Sequence, residues 1–164
     1  MIRTYLERRR VKRVFSKLVD AETVESLLQD GGEIPPIKQG SIEFVIAFIR
    51  GESPSQISER MARVADLAME QGAVVYNLVS GFVIVAFGTH AHPPPKSGSR
   101  ALLVQALRDQ FAGDAKIVHG AADGHHGLFG SERHLSYTFV VPQFDAILGA
   151  LSRLQFGEIE EFMQ

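Results

Sequence analysis

The run SIEFVIAFI, residues 41–49, is apolar, rich in β-branched and aromatic residues, and breaks at Arg50-Gly51. Such a run, bounded by a turn signal, reads as a buried strand. Ser53-Pro54 follows at once: serine suits a helix N-cap, and proline is pre-set for the first helical position. Ile57, Met61, Val64 and Ala68 then recur at helical spacing until Gln71-Gly72 ends the pattern. Two more strand-like runs, AVVYNLV and FVIVAFG, flank Ser80-Gly81, a hairpin signal. Strand, helix and hairpin in this order already exclude an all-α or all-β chain.

The second half repeats the logic. THAHPPPKSGS is a loop, because three successive prolines join neither a helix nor a central strand. Leu103, Val104, Leu107 and Phe111 mark a helix over about 100–111. AKIVHGA reads as a fourth strand, DGHHGLFGSERHL as a glycine-rich turn-like segment, and SYTFVV as another strand. Pro142 opens a helix to about Leu154, and FGEIEEFMQ holds a last short strand. The expected fold class is α+β, with a ferredoxin-like βαββαβ core and an antiparallel-rich sheet. Before it, residues 3–18 (RTYLERRRVKRVFSKL) carry Val11, Val14, Phe15 and Leu18 at helical spacing beneath a basic face. A short helix capped by Asp20, with Val24, Leu27 and Leu28 as its stripe, ends at DGGEIPP. The expected organisation is a basic helical segment over 1–32 and a domain over 40–164.

Bulk composition narrows the function classes. The 164 residues suit one domain. A net charge of -2 gives no global case for nucleic acid. The absence of cysteine excludes disulfides, thiolate metal sites and cysteine nucleophiles. No apolar run approaches the ~20 residues that span a bilayer, and the arginine-rich start has no apolar core behind it. A cytoplasmic location is expected. Membrane contact is expected only through the basic helix or a larger parent protein.

Four fragments, in order and at matching spacings, resemble class III adenylate and guanylate cyclase catalytic domains across nearly the whole chain. RRRVKRVFSKLVDAETVESLL resembles the helical element that couples such domains to an upstream sensor. FVIAFIRGES resembles their first strand, usually apolar-Phe-x-Asp-Ile-Arg-Gly-Phe. NLVSGFVIVAFG resembles the hairpin Lys-x-x-Gly-Asp-x-x-x-x-x-Phe-Gly. GLFGSERHLSYTFVV resembles Gly-x-x-Gly-Ser-x-x-Arg-x-x-Tyr-Thr.

The resemblance implies a two-metal site in which two strand-tip aspartates hold the cations that neutralise the triphosphate and activate the ribose 3′-hydroxyl. In this chain those positions fall at Phe48 and Gly81, and neither residue ligates a metal. The base-reading lysine falls at Asn77, and the base-reading aspartate at Pro142. The ribose-orienting asparagine and the transition-state arginine fall at Asp145 and Gly149. A carboxylate at 145 adds negative charge where the transition state is already anionic, the wrong sign for phosphoryl chemistry. Family members are dimers with shared sites, but both halves are missing here, so a homodimer is expected to have no competent site.

The expected function is a catalytically inactive cyclase-like domain that signals by homo- or heterodimerisation, possible upstream sensor included, with no cofactor. Phe48, Phe82, Tyr137, Phe139, Phe144 and Asp145 are its interface candidates. Two alternatives remain. One is a divergent active cyclase using magnesium or manganese on ATP or GTP. The other is a non-catalytic sensor of a nucleotide or small molecule in a cleft made apolar by Phe48 and Phe82. Aromatic residues on strands are usually buried, so packing is the first reading of both rings. Arg50 reads as a turn residue seeking a carboxylate. His90 with His92, and His125 with His126, have spacings that can hold zinc, but no cysteine or clear third ligand accompanies them. Ser131, His134 and Asp123 lie close in sequence without a nucleophile elbow.

Overall fold

In a computed structural model, the described residues are 37–89, 97–131 and 134–163. The basic segment 1–32 and the histidine pair His90/His92 lie outside them. The order is β1 (Lys38–Ile49), α1 (Pro54–Glu70), β2 (Val74–Val79), β3 (Phe82–Phe87), α2 (Ser99–Phe111), a 3-10 turn (Ala112–Asp114), β4 (Ala115–Ser131), β5 (His134–Val140), α3 (Phe144–Arg153) and β6 (Ile159–Phe162). The strands lie in the order β2-β3-β1-β4-β5, antiparallel throughout, and β6 pairs with β4 in parallel. The first four strands therefore form the expected ferredoxin-like βαββαβ sheet, with β1 at its centre.

Side chains alternate across the sheet, so β1 serves two cores. Val45, Ala47 and Ile49 face a core closed by α1 and α2, while Ile42, Phe44 and Ile46 face one closed by α3. α1 begins as the sequence predicts: the Ser53 hydroxyl accepts a hydrogen bond from the Gln56 amide at 3.2 Å, and Pro54 occupies the first helical position. Its buried face is Val64, Ala65, Leu67 and Ala68, with Met61 packed at the margin. α2 buries Leu103, Val104, Leu107 and Phe111, as its spacing requires. Ser80 and Gly81 both have positive φ, 51° and 89°, the geometry a two-residue hairpin needs.

Two expectations are corrected. DGHHGLFG is no turn; it is the outer half of β4, a 17-residue strand that pairs with β1 up to His126 and with β5 from His125. A glycine in this half marks close approach instead: a Cβ on Gly124 would stand 2.4 Å from the Val140 carbonyl oxygen. Pro142 does not open α3. It lies in a turn, and the helix starts two residues later at Phe144, with Gln143 at the cap position and no side-chain cap. The first strand also starts earlier than its apolar run, at Lys38, because polar Lys38 and Gln39 still pair with His126 and His125. Among the described residues no helix is long and apolar enough to cross a membrane.

Candidate functional site

The tips of β1, β3 and β4 meet beside the β2–β3 turn. The Ile49 amide donates to the Gly81 carbonyl at 2.9 Å, so the two positions where the resemblance expects metal-binding aspartates, 48 and 81, are neighbours in space. A Cβ on Gly81 would stand 3.1 Å from the Phe48 ring. Phe48 lies opposite Phe82 on β3 and opposite Lys116 on β4, and all three face the α3 side of the sheet. The Phe48 and Phe82 rings are 4.5 Å apart, and the Phe156 ring, from the loop after α3, is 5.8 Å from Phe48.

Phe48 and Phe82 floor a cleft of about 470 Å³. Phe82 and Ile84 form its sheet side, and Phe144, Leu148 and Leu151 on α3 form its roof. Val79, half exposed, stands at its mouth. Among the described residues the polar ones that line it are Lys116 and Ser152. The Ser152 hydroxyl already donates to the Leu148 carbonyl within α3, at 2.7 Å. The Lys116 ammonium sits 5.5 Å from the Phe48 ring centre and 5.8 Å from that of Phe156, and donates weakly to the Leu154 carbonyl at 3.4 Å.

Around the corner lies a polar recess of about 280 Å³, lined by Arg50, Glu52, Gln56, Arg60 and Asp114. Arg50 finds the carboxylate its position calls for: Nε donates to Asp114 Oδ1 at 3.0 Å. Arg60 approaches Oδ2 at 3.1 Å and also donates to the Arg50 carbonyl at 2.6 Å. The hydrogen bond from Arg50, with the charge of Arg60, holds the Asp114 carboxyl below the usual range. The Arg50 guanidinium also stacks over Phe156 at 4.6 Å. Asp114, the carboxylate of the 3-10 turn just before β4, is thus committed to two arginines. A hard divalent cation needs several free oxygen ligands, and Phe48 and Gly81 present a ring and backbone instead.

The other positions disperse. Asn77 lies where the β2–β3 register shifts. Pro142 and Asp145 are exposed, Asp145 in the first turn of α3. Gly149 is half-buried on α3, with the Arg153 guanidinium 3.7 Å from where a Cβ would stand. Tyr137 lies on β5 opposite Leu128, and Phe139 is buried in the chain's own core, edge-on to Tyr76 at 4.8 Å. Of the interface candidates, Phe48, Phe82 and Phe144 meet at the cleft. His125 and His126 are consecutive on β4, so their side chains leave opposite faces of the sheet and do not share a ligand. Sequence reasoning missed Lys116 and Phe156. The signal for Lys116 was available: a lone cation in the otherwise apolar start of AKIVHGA, on the same face as Phe48.

No model of a known protein family matches the chain, and no curated protein matches it significantly. Solved structures do. The chain is similar to the adenylyl cyclase CyaB from P. aeruginosa, at 16% identity over 77% of this chain and 79% of that one, with a TM-score of 0.57. It is similar to a bacterial light-regulated adenylyl cyclase at 14% identity, over 92% of this chain but 52% of that longer one, with a TM-score of 0.62. It is also similar to the dimeric guanylyl cyclase domain of the RhoGC fusion protein from the aquatic fungus Blastocladiella emersonii, at 9% identity over 77% and 81%, with a TM-score of 0.53. The α+β fold of this chain is that of class III adenylyl and guanylyl cyclase catalytic domains.

Proposed function

From the cyclase fold, we propose that this chain is a catalytically silent member of that architecture, and that it acts by association, as a homodimer or with another cyclase-like domain. One observation carries the proposal: the adjacent positions 48 and 81 present a phenyl ring and a glycine backbone, where two-metal phosphoryl transfer requires carboxylates. Lys116 beside Phe48 adds a positive charge, which opposes a divalent cation at the same spot. The half-open α3 face supports the association reading. α3 packs over β4 and β6, which leaves the β2–β3 side of that face to the cleft and to exposed Val79. The fungal guanylyl cyclase domain is a non-canonical dimer, a state that is that protein's own and supports the reading by analogy.

The test has two readouts on one preparation. Incubation with ATP or GTP and manganese is expected to give no cyclic product, and sedimentation is expected to show a dimer, or a monomer that binds a cyclase-like partner. Cyclic product above a no-protein control would overturn the silent reading. A nucleotide that binds the folded state at ~100 times its dissociation constant adds about 2.7 kcal/mol, so a flat unfolding midpoint under those conditions would separate silence from binding without turnover.

A further inference from the structure

The apolar cleft contains one feature that packing does not explain. A lysine lines it, half-buried, with its ammonium over two rings, in a position where a leucine would complete the apolar wall. Lys116 makes no ion pair among the described residues. One of its three N–H donors reaches a carbonyl, and only at 3.4 Å. Among the described residues no carboxylate lines the cleft, whereas Arg50, Arg60 and Arg100 are each paired with acidic partners elsewhere. The cleft therefore offers one unpaired cation beside an apolar chamber, and its volume falls within the usual range of small-molecule sites.

We infer that the cleft binds a medium-chain monocarboxylate, with the aliphatic chain between α3 and the sheet and the carboxylate on Lys116. A nucleotide is a poorer fit. Its polyphosphate would bring several negative charges to one ammonium, and its ribose hydroxyls would meet Phe82, Ile84 and Leu148, which offer no partners. A neutral hydrocarbon leaves the ammonium unpaired, and an alkylammonium places like charges together. The carboxylate head alone completes the donors that Lys116 has left, while the chain removes the apolar walls from water. The inference rests on the reading above only in using the same face of the sheet.

The experiment is calorimetric titration of the full chain with decanoate, decanol and decylammonium below their aggregation limits, which holds the tail constant and varies the head. Decanoate is expected to bind about tenfold more tightly than decanol, and decylammonium weakest. Lys116→Met keeps the stem and is expected to erase the preference for decanoate. Lys116→Arg is expected to keep it, and the unfolding midpoint of each variant verifies that it folds. Equal binding of the three amphiphiles, no binding of decanoate, or an anion preference that survives Lys116→Met would overturn the inference. Sedimentation of the same samples, alone and with a cyclase-like partner, separates the two ideas: a chain that binds decanoate but neither dimerises nor binds that partner sinks association alone, and a dimer that binds no amphiphile sinks the ligand alone.

Discussion

At Gly81 the backbone turns with φ +89°, and a Cβ there would lie 2.6 Å from the Ile49 carbonyl oxygen. Any side chain at this position meets both a backbone conformation that L-residues rarely adopt and a backbone atom that cannot step aside. Gly81→Asp is expected to lower stability by about 1–3 kcal/mol, read as a lower unfolding midpoint, and to leave the protein inactive even when combined with Phe48→Asp. A second residue-scale outcome concerns pH. Burial pushes the His119 imidazole below its ordinary range, with Arg100 and Arg108 adding to the shift and Glu161 opposing it. The folded chain holds His119 neutral where the unfolded chain begins to protonate. Its contribution is complete above pH ~6.5 and is lost as pH falls from there toward the folded value. His119→Gln should flatten the decline of the unfolding midpoint between neutral and mildly acidic pH. His126 is lowered too, chiefly by burial, so part of the slope should survive. Asp114 acts at the acid extreme: its stabilising ion pairs are present above the ordinary carboxylate range and fade below it, and Asp114→Asn should remove that dependence.

Among the elements, the best read from sequence were those with a strong local signature. α1 declares itself through Ser53-Pro54, α2 through four core residues at helical spacing, and the hairpin through Ser80-Gly81. β4 was the least legible. Its outer half is glycine- and histidine-rich, and propensity reads such a stretch as a turn. It is a strand because β1 and β5 hold it on both sides, and because a residue without a Cβ permits the Val140 carbonyl to close in. That is tertiary information, invisible to a local window. Gly124→Val is therefore expected to cost about 2–4 kcal/mol, by overpacking against Val140 and Val141. Hydrogen exchange of the β5 amides should accelerate more than that of β3, because the strain sits at the β4–β5 seam.

For the whole molecule, the fold was legible further than the function. Alternating apolar runs and turn residues were enough for the βαββαβ order, since each element has few places to bury its apolar face. The candidate cleft was legible only in part. Phe48, Phe82 and Gly81 could be placed by their strand tips, but Lys116 and Phe156 join them across the sheet and from the loop after α3, far apart in sequence. Association belongs to this scale. If the cleft face is the contact, Leu148→Glu should shift sedimentation toward monomer with little change in unfolding midpoint, because Leu148 is only partly buried. A dimer that ignores this substitution would place the contact elsewhere.

The central position of β1 also affects the order in which the chain can be made. β1 pairs on one side with β3, which follows within one helix and one strand, and on the other with β4 along its whole length from Lys38 to Ile49. Synthesis completes the first helix and hairpin before it reaches Ala115. During that interval a strand of twelve residues, apolar over its second half, has one flank closed and the other unpaired. Chains truncated after Phe111 and released should therefore be the species that chaperones hold or that coaggregates. Release should come only when synthesis has passed the glycine-rich half of β4 and the sheet can close on its own centre.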